Sequence, residues 1–488
     1  MRAVPPAARA FERVASRGSS MPLLIKNGRI VTATDDYHAD IYCEGETITR
    51  IERGINPGGL PSGVRVIDAA GHFVFPGFID PHVHVYLPFM GTYAKDTWET
   101  ASRAALAGGT TTLIEMICPG KAEEPLAAFE TWLSKARGVA SCDYSFHMGV
   151  TRFDDLAERQ LREIVGRGIT SFKVFLAYKG ALGVDDRELY RTLRLAKELG
   201  VVVTAHCENE TLVAERQAEL IAAGHTGPEY HETSRPVRVE AEGVQHLMTF
   251  AELTGASVYI VHTSCREAVA EAVRGFSRGV NGWIEVVLPH LILDESFARK
   301  AGFEGAKYVM SPPLRDAAQQ APMWDSLRAG NISTVATDHA PFDFESQKSM
   351  GKGDFTKIPN GIPSVENRVD LLYTHGVCTG RIDLHTFVKA ASTAAARIFG
   401  LKGKGVISPG ADADLVVYDP TYRGTISAKT HHMATDYSAF EGWEVKGRAS
   451  YVSVRGAVMV EQGRVTGVAG QGRLVPRLCT SSTHTSRC

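Results

Sequence analysis

Apolar and polar positions fall into two textures along the chain. From Leu23 to Val66, short runs (LLIKNGRIV, ADIYCEG, TITRIE) lie between Gly and Asn turns, which predicts a small antiparallel sheet. The same texture returns from Gly405 to Val468, in ADLVVYD and YVSVRGAVMVEQGRV, so the two ends can pair as one composite β-sandwich. Between them, short apolar runs are each followed by a longer amphipathic stretch. The runs are FVFPGFIDPHVHV, Thr111–Ile117, Tyr144–Val150, Thr170–Tyr178, Val201–His206, Ser257–Ser264, Trp283–His290 and Ser333–His339. A continuous apolar run suits a strand buried on both faces, and eight strand–helix repeats are the count of a (β/α)8 TIM-like barrel, an α/β fold. Asp186–Leu199 typifies the helices: apolar at helical spacing and stopped by Gly200.

This predicts a β-sandwich from residues 21–76 plus 405–470, a barrel over 77–404 and a C-terminal tail over 471–488. Residues 1–20 hold four Arg and no apolar segment, so they are not a secretory signal. They are expected to form a disordered extension; an Arg- and Ser-bearing segment fits an organellar transit peptide, and with strand-like PLLIKNGRIV following Met21 an artefactual upstream start is the favoured reading. The polar, Thr/Ser-rich tail reads as a flexible arm or an oligomer contact.

Charge narrows the partners. With 53 Lys+Arg against 55 Asp+Glu, the net charge of −2 leaves no excess cation to displace counterions from nucleic acid or an anionic membrane. No run of about 18 apolar residues predicts a membrane-spanning helix. The 8 cysteines are scattered without a C-x-x-C pair, which reads as reduced thiols and a cytoplasmic setting.

The candidate chemistry lies where polar residues interrupt the strands near their C-terminal ends, the face on which barrels carry active sites. Run one ends in His82-Val83-His84, whose two imidazoles share one side of a strand and can grip one ion. Run four carries Lys173, run five ends in His206, run six nearly in His262 and run eight in Asp338. Any one of these histidines alone reads as a hydrogen-bonded core residue; together at strand ends they point to a metal centre. An ammonium inside an apolar strand is costly, so Lys173 is paired with an acid, used as a Schiff base or modified. A carbamate on its Nζ would add an anion able to bridge two metals, and with Asp338 would offset two of their four charges. Leu87, Phe89 and Phe175 are candidates for a pocket wall as well as for core packing.

These residues resemble the amidohydrolase superfamily with a carboxylated-lysine binuclear centre, and more closely the D-hydantoinases and dihydropyrimidinases. The resemblance runs from about Leu23 to Val468 through PGFIDPHVHV, ALAGGTTT, GITSFKVFLAYKG, HCEN, SRP, GAKYVMSPPLR, TDHAPF, FTKIPNGIPSVENR and DYSAFEGWEVKG. It implies a homotetramer with two divalent metals per subunit, most often zinc. By position, His82 and His84 with Asp338 would bind the buried metal, His206 and His262 the exposed one, and carboxylated Lys173 (N6-carboxylysine) would bridge them. Tyr178 would polarise the scissile carbonyl, and backbone groups of Ser311 and Asn360 would hold the ring's amide edges. The implied reaction opens cyclic amides through a metal-bridging hydroxide, with Asp338 moving the proton: 5-substituted hydantoins to N-carbamoyl amino acids, dihydropyrimidines to ureido acids.

Two positions depart from the pattern. EVVLPHL stands where many hydantoinases have a Thr-Cys-Pro segment, and Ala340 where Cys is common. Dihydroorotases continue HxHxR to bind a carboxylate; Tyr86 stands here and cannot supply that bidentate cation. An allantoinase-like ureide hydrolase remains an alternative. A non-catalytic scaffold of the collapsin-response-mediator type lacks the full metal set, whereas all six ligand positions here carry competent residues.

Overall fold

A computed structural model describes residues 21–479. The expectation for residues 1–20 lies outside them. Eight parallel strands form the central sheet: β1 (Phe78–Val83), β2 (Thr110–Ile117), β3 (Asp143–Gly149), β4 (Ser171–Phe175), β5 (Val202–His206), β6 (Ser257–Ile260), β7 (Gly282–Val287) and β8 (Thr334–Ala336). They lie side by side in chain order, from β1 to β8. Across the β1–β8 seam, Asp338 N–H donates to the His82 carbonyl (3.0 Å) and His84 N–H to the His339 carbonyl (2.8 Å). The sheet therefore closes as a barrel, and the chain closing it is the chain that carries three candidate ligands.

Helices follow the strands as amphipathic runs dictate. Asp186–Leu199, between β4 and β5, is capped by Asp185, whose side chain accepts from Glu188 N–H while Glu188 reaches back, and ends at left-handed Gly200. The apolar run FVFPGFIDPHVHV is not one strand. It breaks at Gly77, where a Cβ would collide with Thr111 and with Cβ of Asp414. Phe73–Pro76 joins a second sheet, and Phe78–Val83 enters the barrel.

That second sheet has nine strands, drawn from residues 23–76 and 415–465. It is mixed rather than antiparallel, because Arg65–Asp68 and Phe73–Pro76 both run parallel to Leu23–Val31. It curls round its own apolar cluster, including Ile25, Ile41, Ile48, Val74 and Val417, and a bridge joins Thr47 to Asp412.

Residues 471–479 are not a free arm. Gly472 N–H donates to the Ala140 carbonyl, Val475 N–H to Tyr144 and Arg477 N–H to Gly168. Arg477 is buried, and its guanidinium binds the Phe146 carbonyl and the Ser171 hydroxyl. Polar composition suggested solvent exposure, but these polar groups satisfy backbone and hydroxyl groups at the foot of the barrel. Residues 480–488 lie outside the described part.

Candidate metal centre and substrate cleft

The six candidate ligands meet at the C-terminal mouth of the barrel because parallel strands deliver their ends to one face. Asp338 Oδ1 lies 3.1 Å from Nε2 of both His82 and His84. Across the mouth, His206 Nδ1 and His262 Nε2 meet at 2.9 Å. Lys173 rises between them from β4 and is wholly buried. These six and Tyr178, Ser311 and Asn360 line a cleft of about 440 Å³ that opens to solvent. Leu87, Phe89 and Phe175 line it too, together with Leu182.

The cluster holds more donors than its acceptors satisfy. Among the described residues, Lys173 Nζ is buried and makes no hydrogen bond, and His82 Nε2 has only the Asp338 carboxylate, at 3.1 Å. Among the described residues, no carboxylate reaches Lys173 as a salt bridge, so the acid-paired account of this lysine has no support. Between two facing imidazole nitrogens only one proton can sit. Imidazole nitrogens and a carboxylate brought this close are the donor set of a divalent-cation site.

Burial gives three of the four imidazoles the neutral state a metal ligand needs. It lowers His206, pushes His262 well below the usual imidazole range and brings His84 to about 4, so these three are neutral. For His82 burial acts downward as well, but the carboxylates of Glu285 and Asp338 outweigh it and hold the ring up to about 9. Burial alone would raise Asp338; His82 and His84 instead keep it well below the usual carboxylate range. Burial raises the Tyr178 phenol and keeps it a proton donor.

Backbone strain falls on the same residues. Among the few non-glycine residues at positive φ are Tyr178 (61°), His262 (38°) and Asp338 (51°). Each such conformation costs on the order of 1–3 kcal/mol and persists only where surrounding contacts hold it. The Glu210 carboxylate takes the Tyr178 N–H, and Glu285 takes the His262 N–H at 2.8 Å. Tyr178 stands beside His206 and Phe89, with the Arg235 guanidinium 5.5 Å from its ring centre. Asn360 Nδ2 donates to Ser311 Oγ at 2.8 Å, joining the two loops expected to hold the ring.

Several groups escaped the sequence reading. Glu285 in β7 accepts from His82 Nδ1 at 2.7 Å. Glu208 accepts from His206 Nε2 at 2.8 Å and is itself held by Arg235 at 2.6 Å, which turns His206 Nδ1 inward. Asp80 in β1 accepts from the Thr337 hydroxyl at 2.6 Å and from His82 N–H, fastening β1 to β8. Asp80 and Glu285 are ionisable residues inside apolar runs, so the signal that marked Lys173 was present at both. His339 and His290 neighbour the site without facing it: His339 bonds Asp96 and His290 bonds the Pro312 carbonyl.

A second carboxylate group, Asp143, Asp412 and Asp414, could hold a metal by its spacing. Its cation place is filled, because Lys404 Nζ lies 2.6, 3.0 and 2.8 Å from the three carboxylates. Asp143 opens β3, so this cluster sits at the opposite end of the barrel from the cleft.

The amidohydrolase family pattern matches residues 73–459. The chain is 46% identical to a D-hydantoinase of Geobacillus stearothermophilus, an alignment covering 94% of this chain and 97% of that one. It is 38% identical to a dihydropyrimidinase of Rattus norvegicus, covering 93% and 88%. The solved structure of a D-hydantoinase (dihydropyrimidinase) from Thermus sp. superposes with a TM-score of 0.91 at 59% identity, over 93% of this chain and 99% of that one.

Proposed function

Because the chain belongs to the amidohydrolase family, in its D-hydantoinase and dihydropyrimidinase branch, we propose that it hydrolyses cyclic amide rings. Water adds across a ring C–N bond: the carbonyl carbon takes the hydroxyl and the ring nitrogen takes a proton. Hydantoins then give N-carbamoyl amino acids, and dihydropyrimidines give ureido acids. The observation that carries this reading is the convergence of four imidazoles, Asp338 and a buried Lys173, without a hydrogen bond among the described residues, on one cleft.

In this reading His82, His84 and Asp338 would hold one divalent ion and His206 and His262 a second, and Lys173, as its carbamate, would add an anionic oxygen donor to both. When bound, the pair supplies Lewis acidity toward the scissile carbonyl and lowers the pKa of water toward neutrality. Asp338, a carboxylate at neutral pH, takes the proton from the attacking water and passes it to the leaving ring nitrogen. The Tyr178 hydroxyl donates to the carbonyl oxygen as negative charge develops there. Ser311 and Asn360 orient the ring through their backbone groups. Leu87, Phe89, Phe175 and Leu182 keep the wall beside it apolar, which favours a hydrocarbon 5-substituent over the polar ureido group of allantoin.

Zinc is the metal we assign, since neutral imidazoles with carboxylate donors are a zinc set. A homotetramer follows the resemblance, and a cytoplasmic setting accords with the buried free thiols Cys43, Cys118, Cys142, Cys207 and Cys265. Among the described residues, no helix is long and apolar enough to cross a membrane.

The deciding experiment compares rates on hydantoin, dihydrouracil, allantoin and dihydroorotate before and after chelation. Activity on the first two that chelation removes and zinc restores supports the reading. A metal-free enzyme with full activity, or one that opens none of these rings, overturns it.

A further inference from the structure

The loop that carries Ser311 has its neighbouring carbonyls occupied by buried donors. The Met310 carbonyl accepts from His231 Nε2 at 2.8 Å, and the Pro312 carbonyl from His290 Nε2 at 3.1 Å. The Val309 carbonyl accepts twice, from Gly361 N–H and from Lys348 Nζ, each at 2.9 Å. On the facing loop, the Gly361 carbonyl accepts from the same Lys348 Nζ at 2.7 Å. Among the described residues, no donor of the chain engages the carbonyls of Ser311 and Asn360 themselves. The unspent Ser311 acceptor thus has a spent carbonyl on each side and that of Asn360 one beside it at Gly361, and both residues line the cleft.

Lys348 is wholly buried, yet among the described residues no carboxylate pairs with it. Burial pushes its amine well below the usual lysine range. Burying an unpaired ammonium costs several kcal/mol, and an apolar side chain would fill the space without that cost. What an apolar side chain cannot do is link two carbonyls about fifty residues apart. The Gly361 side of the link has little freedom to adjust, since a Cβ there would collide with the Ala340 carbonyl.

We propose that Lys348 is a positioning residue that sets the spacing between the Ser311 and Asn360 carbonyls, and thereby selects rings presenting two N–H groups over rings presenting one. The inference rests on the cyclic-amide reading above and adds a determinant of which cyclic amides fit. A ring that lacks one N–H leaves one of these acceptors without a partner, which a preorganised pair penalises and a loosened pair does not.

The test measures kcat and KM of the zinc-loaded enzyme on dihydrouracil, with two ring N–H groups, and on glutarimide, in which one is replaced by CH2. In Lys348→Met we expect KM for dihydrouracil to rise about tenfold while kcat stays within about threefold, so that the preference over glutarimide falls by about the same factor. A folded Lys348→Met with the wild-type KM and preference overturns the proposal and leaves the cyclic-amide reading intact. Wild-type enzyme inactive on both rings overturns that reading, and the proposal with it. If Lys348→Met does not fold, Lys348→Gln is judged by the same criterion. Failure of both to fold overturns the proposal by making Lys348 a determinant of the fold rather than of the cleft.

Discussion

Glu285 ties together the two groups of candidate ligands: its Oε1 accepts from His82 Nδ1 at 2.7 Å and from the His262 backbone N–H at 2.8 Å. Its Oε2 accepts from the Tyr259 hydroxyl at 2.8 Å, which fixes the carboxylate in turn. One buried side chain therefore orients a candidate ligand from each group. Glu285→Gln is expected to weaken metal binding about 10–100-fold with the fold retained, measured by chelator competition and circular dichroism. Affinity equal to wild type would show that the carboxylate does not hold these ligands.

Lys173 stands wholly buried, and among the described residues Nζ has no hydrogen-bond partner, only the Phe175 ring 4.8 Å away. Lys173→Ala should lower bound metal from about two ions per chain to one or none and remove activity on the order of 10³-fold. Acetate or propionate, small enough for the vacated space, should restore part of both. A variant that keeps two ions and full rate would exclude the carbamate bridge.

Tyr178 is held at positive φ with its N–H on Glu210, a strained placement that aims the phenol into the cleft. Tyr178→Phe should lower kcat about 10²–10³-fold, as for loss of one oxyanion donor, with metal content and KM little changed. A kcat near wild type, or a loss confined to KM, would remove the phenol from transition-state stabilisation.

Glu115 in β2 gives a pH prediction. Burial raises its carboxyl to about 8, against the opposing pull of the Tyr86 and Val85 backbone N–H groups. The unfolded chain ionises this group near 4.5, so between pH 4.5 and 8 the folded state holds a proton the unfolded state has lost. Stability from this group is therefore greatest below pH 4.5 and falls as pH rises, by roughly 1.4 kcal/mol per pH unit, levelling off above pH 8. Glu115→Gln should flatten that slope, read as the difference between the Tm–pH curves of the two proteins. Parallel curves would refute it.

Much of the site was legible because a strand buried on both faces has no cheap place for a charge. His82, His84, Lys173, His206, His262 and Asp338 each interrupt an apolar run, and parallel topology sends their strand ends to one mouth. The same physics marked Asp80 and Glu285, but their partners are invisible along the chain. Glu285 meets His82 across 203 residues, and only the order of strands round the barrel brings them together. Lys348 carries no sequence signal, since its immediate neighbours (Glu345-Ser346-Gln347 and Ser349) are polar and its burial arises from the packing of two distant segments.

By itself the sequence determined the eight-strand barrel, the paired β segments at the two ends and the set of ionisable residues at the strand ends. These follow from local periodicity and from the cost of burying charge, both properties of short stretches. Only the tertiary structure decided where the FVFPGFIDPHVHV run divides, how residues 471–479 pack and which carboxylates orient the ligands. It also decided which backbone acceptors of Ser311 and Asn360 stay open. Each of these depends on closing the barrel and docking a second sheet against it, which sets distances between residues that local patterning leaves independent.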